Sequence, residues 1–282
     1  MMSLRNVTES ITDAAIGECD HERERDGTST MAMLELKHVS KAYPHGKGML
    51  PVLEDVSFSI DQGEFIAIVG PSGCGKSTLV RIINGIVPAT SGQVLYNGRQ
   101  VDRINLECAL VFQSFALLPW MTVKANVEMG LEARGVEPKE RERIAGIYID
   151  KVGLDGFEEA YPRELSGGMK QRVGFARALA VEPKVLLMDE PFSALDALTA
   201  ITLREELLDI WHSPDMSVHT LVIVTHIIEE AVELADRILV MSSHPGRLAA
   251  DIKVEIPRPR DRRTDVFNQL VDKVFSLIEE RT

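Results

Sequence analysis

Gly70-Pro71-Ser72-Gly73-Cys74-Gly75-Lys76-Ser77-Thr78 is the stretch whose reading decides the fold of this chain. It fits the pattern G-x-x-x-x-G-K-[ST] of a phosphate-binding loop. An apolar run, Phe65-Ile66-Ala67-Ile68-Val69, leads into it, and Leu79-Val80-Arg81-Ile82-Ile83 leads out. The order is therefore strand, glycine-rich loop, helix. Glycines permit the tight turn and aim successive backbone N–H groups inward as an anion nest. The helix that begins there adds the positive end of its dipole. In such a loop Lys76 reaches the β- and γ-phosphates of a nucleotide, and the Ser77 hydroxyl ligates Mg²⁺. Cys74 lies inside the loop near a helix N-terminus, a setting that favours a thiolate. Alkylation there is expected to block nucleotide binding, and ATP to slow it.

Working outward, the N-terminal side carries two alternating stretches. Leu34-Glu35-Leu36-Lys37-His38-Val39 and the run from Val52 through Val56, Phe58 and Ile60 each read as a half-buried strand. Asp61-Gln62-Gly63 turns the chain into the strand before the loop. Tyr43 falls between the two alternating stretches. On the other side, Leu79, Ile82, Ile83 and Ile86 share a helical face, and Pro88 to Gly92 ends that helix. Gln93 to Gly98 reads as a strand entering an Asn-Gly turn. Ala109-Leu110-Val111-Phe112 is a short buried strand with Gln113 directly behind it. Helical segments follow over 123–134, 138–152 and 156–164. Leu165-Ser166-Gly167-Gly168-Met169 then opens a helix that runs to about residue 180.

Val185-Leu186-Leu187-Met188-Asp189-Glu190 is an apolar run ending in two carboxylates. Such a pattern puts the charge at the carboxyl edge of a parallel sheet, where open α/β folds bind their ligands. Ser193-Ala194-Leu195-Asp196 leads into a helix over 198–211. Thr220 to Thr225 is a further central strand with His226 at its end. Helix 227–235 and strand 237–241 complete the core. In the tail, Val266, Leu270, Val271, Val274, Phe275 and Ile278 recur at helical spacing, a stripe suited to core packing.

Composition sets the outer bounds. A chain of 282 residues with 45% hydrophobic side chains has the make-up of an ordinary globular protein of one or two domains. No apolar run approaches the roughly 18 residues of a membrane span, so the chain does not cross a bilayer alone. With 43 acidic against 31 basic side chains, the formal charge of −12 argues against bulk nucleic-acid binding. Cys19, Cys74 and Cys108 form neither a disulfide framework nor a zinc spacing, which points to a reducing compartment. Residues 1–32 show a charged tract at 18–26 and no periodic apolar face, the pattern of a disordered leader. Met31 and Met33 stand where ordered pattern begins, and both remain open as starts.

These stretches together resemble the ATP-binding subunits of ABC transporters over residues 34–278. The phosphate loop alone leaves many NTPases open. Leu165-Ser166-Gly167-Gly168, followed by an apolar strand ending Asp189-Glu190, is the more specific signal. The resemblance implies an α/β fold of the P-loop NTPase ABC ATPase type, with a parallel core sheet, an antiparallel β subdomain and a helical insertion. Residues 33–263 would form the ATP-binding domain, with the insertion at about 114–175, and 264–282 a C-terminal amphipathic helix. Tyr43 resembles the aromatic that stacks on adenine. Residues Gly70 to Thr78, including Pro71, Ser72, Gly73, Cys74 and Gly75, correspond to the phosphate loop. Gln113 is similar to the glutamine that touches Mg²⁺ and the attacking water. Asp189 matches the acid that holds Mg²⁺, and Glu190 the general base. His226 resembles the histidine that contacts the γ-phosphate. Ser193, Ala194, Leu195 and Asp196 resemble the loop that communicates across a dimer. Leu165, Ser166, Gly167, Gly168 and Met169 resemble the signature that meets the ATP held by a second copy. Met169 departs from the glutamine of many members, while the serine and both glycines are intact.

The resemblance further implies a head-to-tail pair using ATP and Mg²⁺, peripheral on the cytoplasmic face of the inner membrane. Its partners would be separate permease subunits and, indirectly, a substrate-binding protein. Three stretches resemble the importer branch for nitrate, sulfonates and taurine: Phe112 to Trp120, Ser242 to Arg247, and Ile256 to Arg263. By the same resemblance, the apolar patch from Leu117 to Met121 would lie beside the groove for the permease, with internal packing as its alternative. An exporter subunit would share every catalytic residue. A non-transport cassette ATPase usually carries two cassettes, coiled-coil insertions or zinc-binding cysteines, and none is present here.

Overall fold

The computed structural model describes residues 32–213 and 215–280. The expectation of a disordered leader lies outside the described residues, as does Cys19. Two sheets organise the chain. In the first, β1 (Leu34–His45) and β2 (Gly48–Ile60) form an antiparallel hairpin. On its other edge β1 pairs antiparallel with β4 (Ser91–Tyr96), which turns through Asn97-Gly98 into β5 (Arg99–Gln100). Both turn residues have positive φ, 47° and 73°, the geometry that a two-residue hairpin demands and Asn-Gly supplies. The hairpin carries one correction. Tyr43 is not between strands but within β1, opposite Leu50, because both strands extend further than alternation alone suggested.

The second sheet has the order β10-β9-β3-β8-β7-β6. Its members are β3 (Phe65–Val69), β6 (Cys108–Val111), β7 (Val185–Asp189), β8 (Thr220–Val224), β9 (Arg237–Met241) and β10 (Leu248–Lys253). All neighbours are parallel except β10, an antiparallel edge strand against β9. Period-two alternation divides the apolar residues of these strands between two cores. Phe65, Ala67, Val69, Leu186, Met188, Leu221 and Ile223 face one side. Ile66, Ile68, Val185, Leu187, Val222 and Val224 face the other. On that second side they meet Leu79, Val80 and Ile83 of helix α1 (Lys76–Ile83) and Leu34, Leu36 and Val56 of the antiparallel sheet.

The opposite face is covered by α2 (Val123–Ala133), α4 (Gly167–Ala180), α5 (Ala197–His212), α6 (Ile228–Leu234) and α7 (Asp265–Glu279), with α3 (Pro138–Lys151) stacked on α2 and α4. Thr122, Ser166, Asp196 and Thr264 cap α2, α4, α5 and α7 by accepting a backbone N–H in the first turn. Three expectations change. Helix α1 stops at Ile83, so Ile86 lies beyond it and is exposed. Between 156 and 164 only Pro162–Glu164 forms a helical turn, of the 3₁₀ kind. Gly156 takes φ +83°, which a helix does not accommodate. In α7 the buried side chains are Phe267 and Val274, whereas Val266 and Phe275 are 60% and 50% exposed.

Candidate active site

The loop Gly70–Gly75 leaves the carboxyl end of β3 and delivers α1. Gly75 stands at the N-cap with φ +98° and offers no side chain to cap the helix, which leaves the first N–H groups of α1 free for an anion. A Cβ on Gly75 would lie 2.7 Å from Leu53 Cδ2, so the loop is held close against β2. Lys76 is buried, and its ammonium donates to Gly70 O at 2.8 Å and Pro71 O at 2.9 Å, bending back across the loop.

Four neighbouring parallel strands, β3, β8, β7 and β6, end side by side, and each contributes to one cluster. From β7 comes Asp189, buried, whose Oδ1 accepts from Ser77 Oγ at 2.7 Å. Arg81 Nη2 lies 3.9 Å from Asp189 Oδ2. Burial pushes the Asp189 carboxyl above its usual range, while the Ser77 hydrogen bond and Arg81 oppose the rise. Glu190 follows with φ +47°, an uncommon conformation for a non-glycine residue, fixed by its N–H on Val224 O at 2.9 Å. Its Oε2 accepts at 3.0 Å from Nε2 of Gln113, two residues beyond the end of β6. The same Oε2 lies 3.2 Å from His226 Nδ1, behind β8. Gln113, Glu190 and His226, far apart in sequence, thus converge on one carboxylate oxygen. Gln113 Nε2 also reaches Ser193 Oγ at 3.4 Å.

Tyr43, half-exposed on the hairpin, has Lys41 Nζ over its ring at 4.9 Å. The start of α4 lies apart from α1: α4 packs on α2, α3, β6 and α5, whereas α1 packs on β7 and β8. Ser166 and Gly167 are exposed, with Leu165 and Gly168 buried beneath. A Cβ on Gly167 would come within 3.7 Å of Leu195, and one on Gly168 within 2.5 Å of Thr199 Cγ2. The start of α4 therefore rests on the 194–199 segment. Asp196 accepts from Thr199 N and Oγ1, and those bonds lower its pKa.

The expectation that the setting of Cys74 favours a thiolate is overturned. Its side chain is 1% exposed within the core beneath the loop, and desolvation raises rather than lowers its thiol pKa. The helix end is near, but the sulfur points away from water, and the Lys76 charge only partly offsets the burial. Two residues were not foreseen as part of the site. Arg81 was legible only as a helix residue, one turn past the loop. Gly246 braces the loop from behind, with its N–H on Val52 O at 2.9 Å and its own carbonyl accepting from Glu54 N.

Among the described residues no group of three or more His, Cys, Asp or Glu could hold a metal ion unaided. Ser77 and Asp189 supply a hard-oxygen pair instead, which suits Mg²⁺, an ion that keeps waters and substrate oxygens in its shell. No described helix is long and apolar enough to cross a membrane.

The sequence profile of the family described as ABC transporter matches residues 53–193. The nitrate import ATP-binding protein NrtD of Synechocystis sp. is 44% identical over 88% of this chain and 96% of its own length. The aliphatic sulfonates import ATP-binding protein SsuB of Bacillus licheniformis is 43% identical over 87% of this chain and 94% of its own. Among solved structures, the dimeric ATP-binding cassette MJ0796 in a post-hydrolysis state bound to ADP and Pi superposes with a TM-score of 0.70. It is 32% identical, covering 80% of this chain and 100% of that one. With a phosphate loop, a carboxylate cluster at the ends of parallel strands and relatives of this kind, the chain belongs to the ABC transporter family as an ATP-hydrolysing ATP-binding subunit.

Proposed function

We propose that this chain is the ATPase subunit of an importer for a small anion such as nitrate, a sulfonate or taurine. It would work as a head-to-tail pair at the cytoplasmic face of the membrane, on separate permease subunits served by a substrate-binding protein. The observation that carries the catalytic part is the convergence of Gln113 and His226 on Glu190 Oε2, beside the Ser77–Asp189 pair. The import part is supported by the names of the relatives and by Trp120, which stands 70% exposed on the approach to α2, a surface suited to a permease contact.

In this reading the loop N–H groups and Lys76 bind the phosphates, Lys76 exchanging its two carbonyl partners for phosphate oxygens. Ser77 and Asp189 hold Mg²⁺, with Gln113 beside them. When bound, the ion neutralises phosphate charge and aligns the leaving group. Glu190 orients the lytic water and accepts its proton, a task that requires a carboxylate within hydrogen-bond reach. Gln113 and His226 fix the orientation of that carboxylate, and His226 meets the γ-phosphate. Tyr43 stacks on the base. The Ser166–Gly168 helix end faces the γ-phosphate of the partner's ATP, and the Ser193–Asp196 loop beneath it carries the state of one site to the other.

Glu190→Gln tests the chemistry. The variant is expected to bind ATP with near-native affinity while kcat falls on the order of 10²–10⁴-fold, the size of a lost general base. Turnover at the wild-type rate would remove Glu190 from the mechanism. Co-purification from membranes tests the assignment to an importer. A co-purifying permease encoded with a secreted binding protein supports it, and an export partner overturns it.

A further inference from the structure

The loop that follows Gln113 holds two consecutive non-glycine residues in the left-handed region, Phe115 at φ +60° and Ala116 at φ +47°. Side chains rarely adopt this conformation singly, and a pair of them needs an outside restraint. One side chain supplies it. Arg177, in the last turn of α4, donates from Nη1 to Ala116 O at 2.6 Å and from Nη2 to Phe115 O at 2.9 Å. Arg177 is half-buried and forms no ion pair among the described residues, so its guanidinium is committed to these two carbonyls. Further along, Asn126 of α2, fully buried, accepts from Leu118 N at 2.8 Å and donates to Leu118 O and Met121 O. The loop is thus pinned twice from the helical layer. Gln113 is suspended between the first pin and the end of β6, with its amide on Glu190 and Ser193.

We propose that Arg177 is a positioning residue for hydrolysis: its two-carbonyl clamp holds the left-handed turn at 115–116, which keeps the Gln113 amide on Glu190. This rests on the reading of Gln113 and Glu190 given above. Because α4 begins at Gly167 and carries Arg177 near its other end, movement of that helix against the partner's nucleotide is handed to Gln113 through this one guanidinium. The bidentate fork is essential to the arrangement, since an ammonium cannot serve two carbonyls in the same fixed plane.

The experiment compares Arg177→Lys, Ala116→Gly and the double variant, with ATP turnover and amide hydrogen exchange over residues 112–118 as readouts. Arg177→Lys is expected to lower kcat about tenfold with little change in KM for ATP, and to speed exchange in the loop. Ala116→Gly alone should leave kcat at the wild-type value. In the double variant it should recover part of the lost rate, because glycine takes positive φ without the clamp at one of the two strained positions. A general loss of packing would not be rescued by a glycine in an exposed turn. Unchanged exchange and kcat in Arg177→Lys, or a loss that Ala116→Gly does not recover, overturns the proposal. Gln113→Ala separates this from the underlying reading. Full activity in that variant sinks the role of Gln113, whereas unchanged exchange in Arg177→Lys sinks the clamp and leaves Gln113 in place.

Discussion

Gly246 carries no reactive group, yet a methyl group at its Cα would sit 2.0 Å from the carbonyl oxygen of Cys74 in the phosphate loop. Backbone on both sides leaves nothing flexible to yield, because Gly246 is also hydrogen-bonded to Val52 and Glu54. Gly246→Ala must therefore push the loop, and the loop geometry is what aligns the N–H groups on phosphate. Isothermal titration should show ATP affinity falling about tenfold or more, with the circular dichroism of the fold retained. Native affinity in that variant would mean the loop is not braced from this side. At this scale the sequence was legible wherever chemistry and motif coincide, as at Lys76, Ser77, Asp189 and Glu190. It was illegible where a residue acts by being small, as at Gly246, or by what its backbone neighbours need, as at Arg177. Cys74 shows the third case, in which sequence placed the residue correctly but could not say which way its side chain points.

Helix α7 shows what periodicity fixes and what it leaves free. The apolar spacing 266, 270, 271, 274, 275 and 278 gives a helix, and the helix is there. Rotation about its axis is decided by tertiary contacts, which place Phe267 and Val274 inward and partly cover Leu270, Val271 and Ile278. Val266 and Phe275 lie at the rim. Phe267→Ala is thus expected to destabilise the domain by about 3–5 kcal/mol. Phe275→Ser, on the exposed rim, should change stability by less than about 0.5 kcal/mol. Urea melts of the two variants check this, and equal costs would mean that the rotation of α7 is wrong. Strand β10 escaped the sequence for a related reason. Leu248-Ala249-Ala250-Asp251-Ile252-Lys253 has weak strand preference and is only half-buried, so its pairing with β9 is set by the sheet edge and by Arg237, whose Nε and Nη2 each lie 2.6 Å from Asp251.

The two motifs proposed to handle phosphate lie at two places in the molecule. The cradle around Lys76 and the exposed start of α4 at Ser166 rest on different elements, α1 on β7 and β8, α4 on the helical layer. Sequence alone gave both motifs but not their separation, since strand order determines which ends lie side by side. In the proposed two-fold pair the separation is resolved, because an isologous interface would let each cradle meet the other copy's helix end. Two inactive variants test this directly. Lys76→Ala removes the cradle's charge, and Ser166→Arg blocks the cap. Each pure variant should fail to hydrolyse ATP. In a mixed pair, one site combines both defects, while the other joins the intact cradle of the Ser166→Arg copy to the intact cap of the Lys76→Ala copy. Random equimolar mixing makes half of the pairs mixed, each with one complete site, so about a quarter of the wild-type activity should return if each site works independently. If the two sites must fire together, activity stays absent, but ATP should still draw the mixture into pairs on gel filtration that neither pure variant forms, because only a mixed pair has a complete site. Full activity in either pure variant, or a mixture with neither turnover nor ATP-dependent pairing, would show that cradle and cap do not meet across copies.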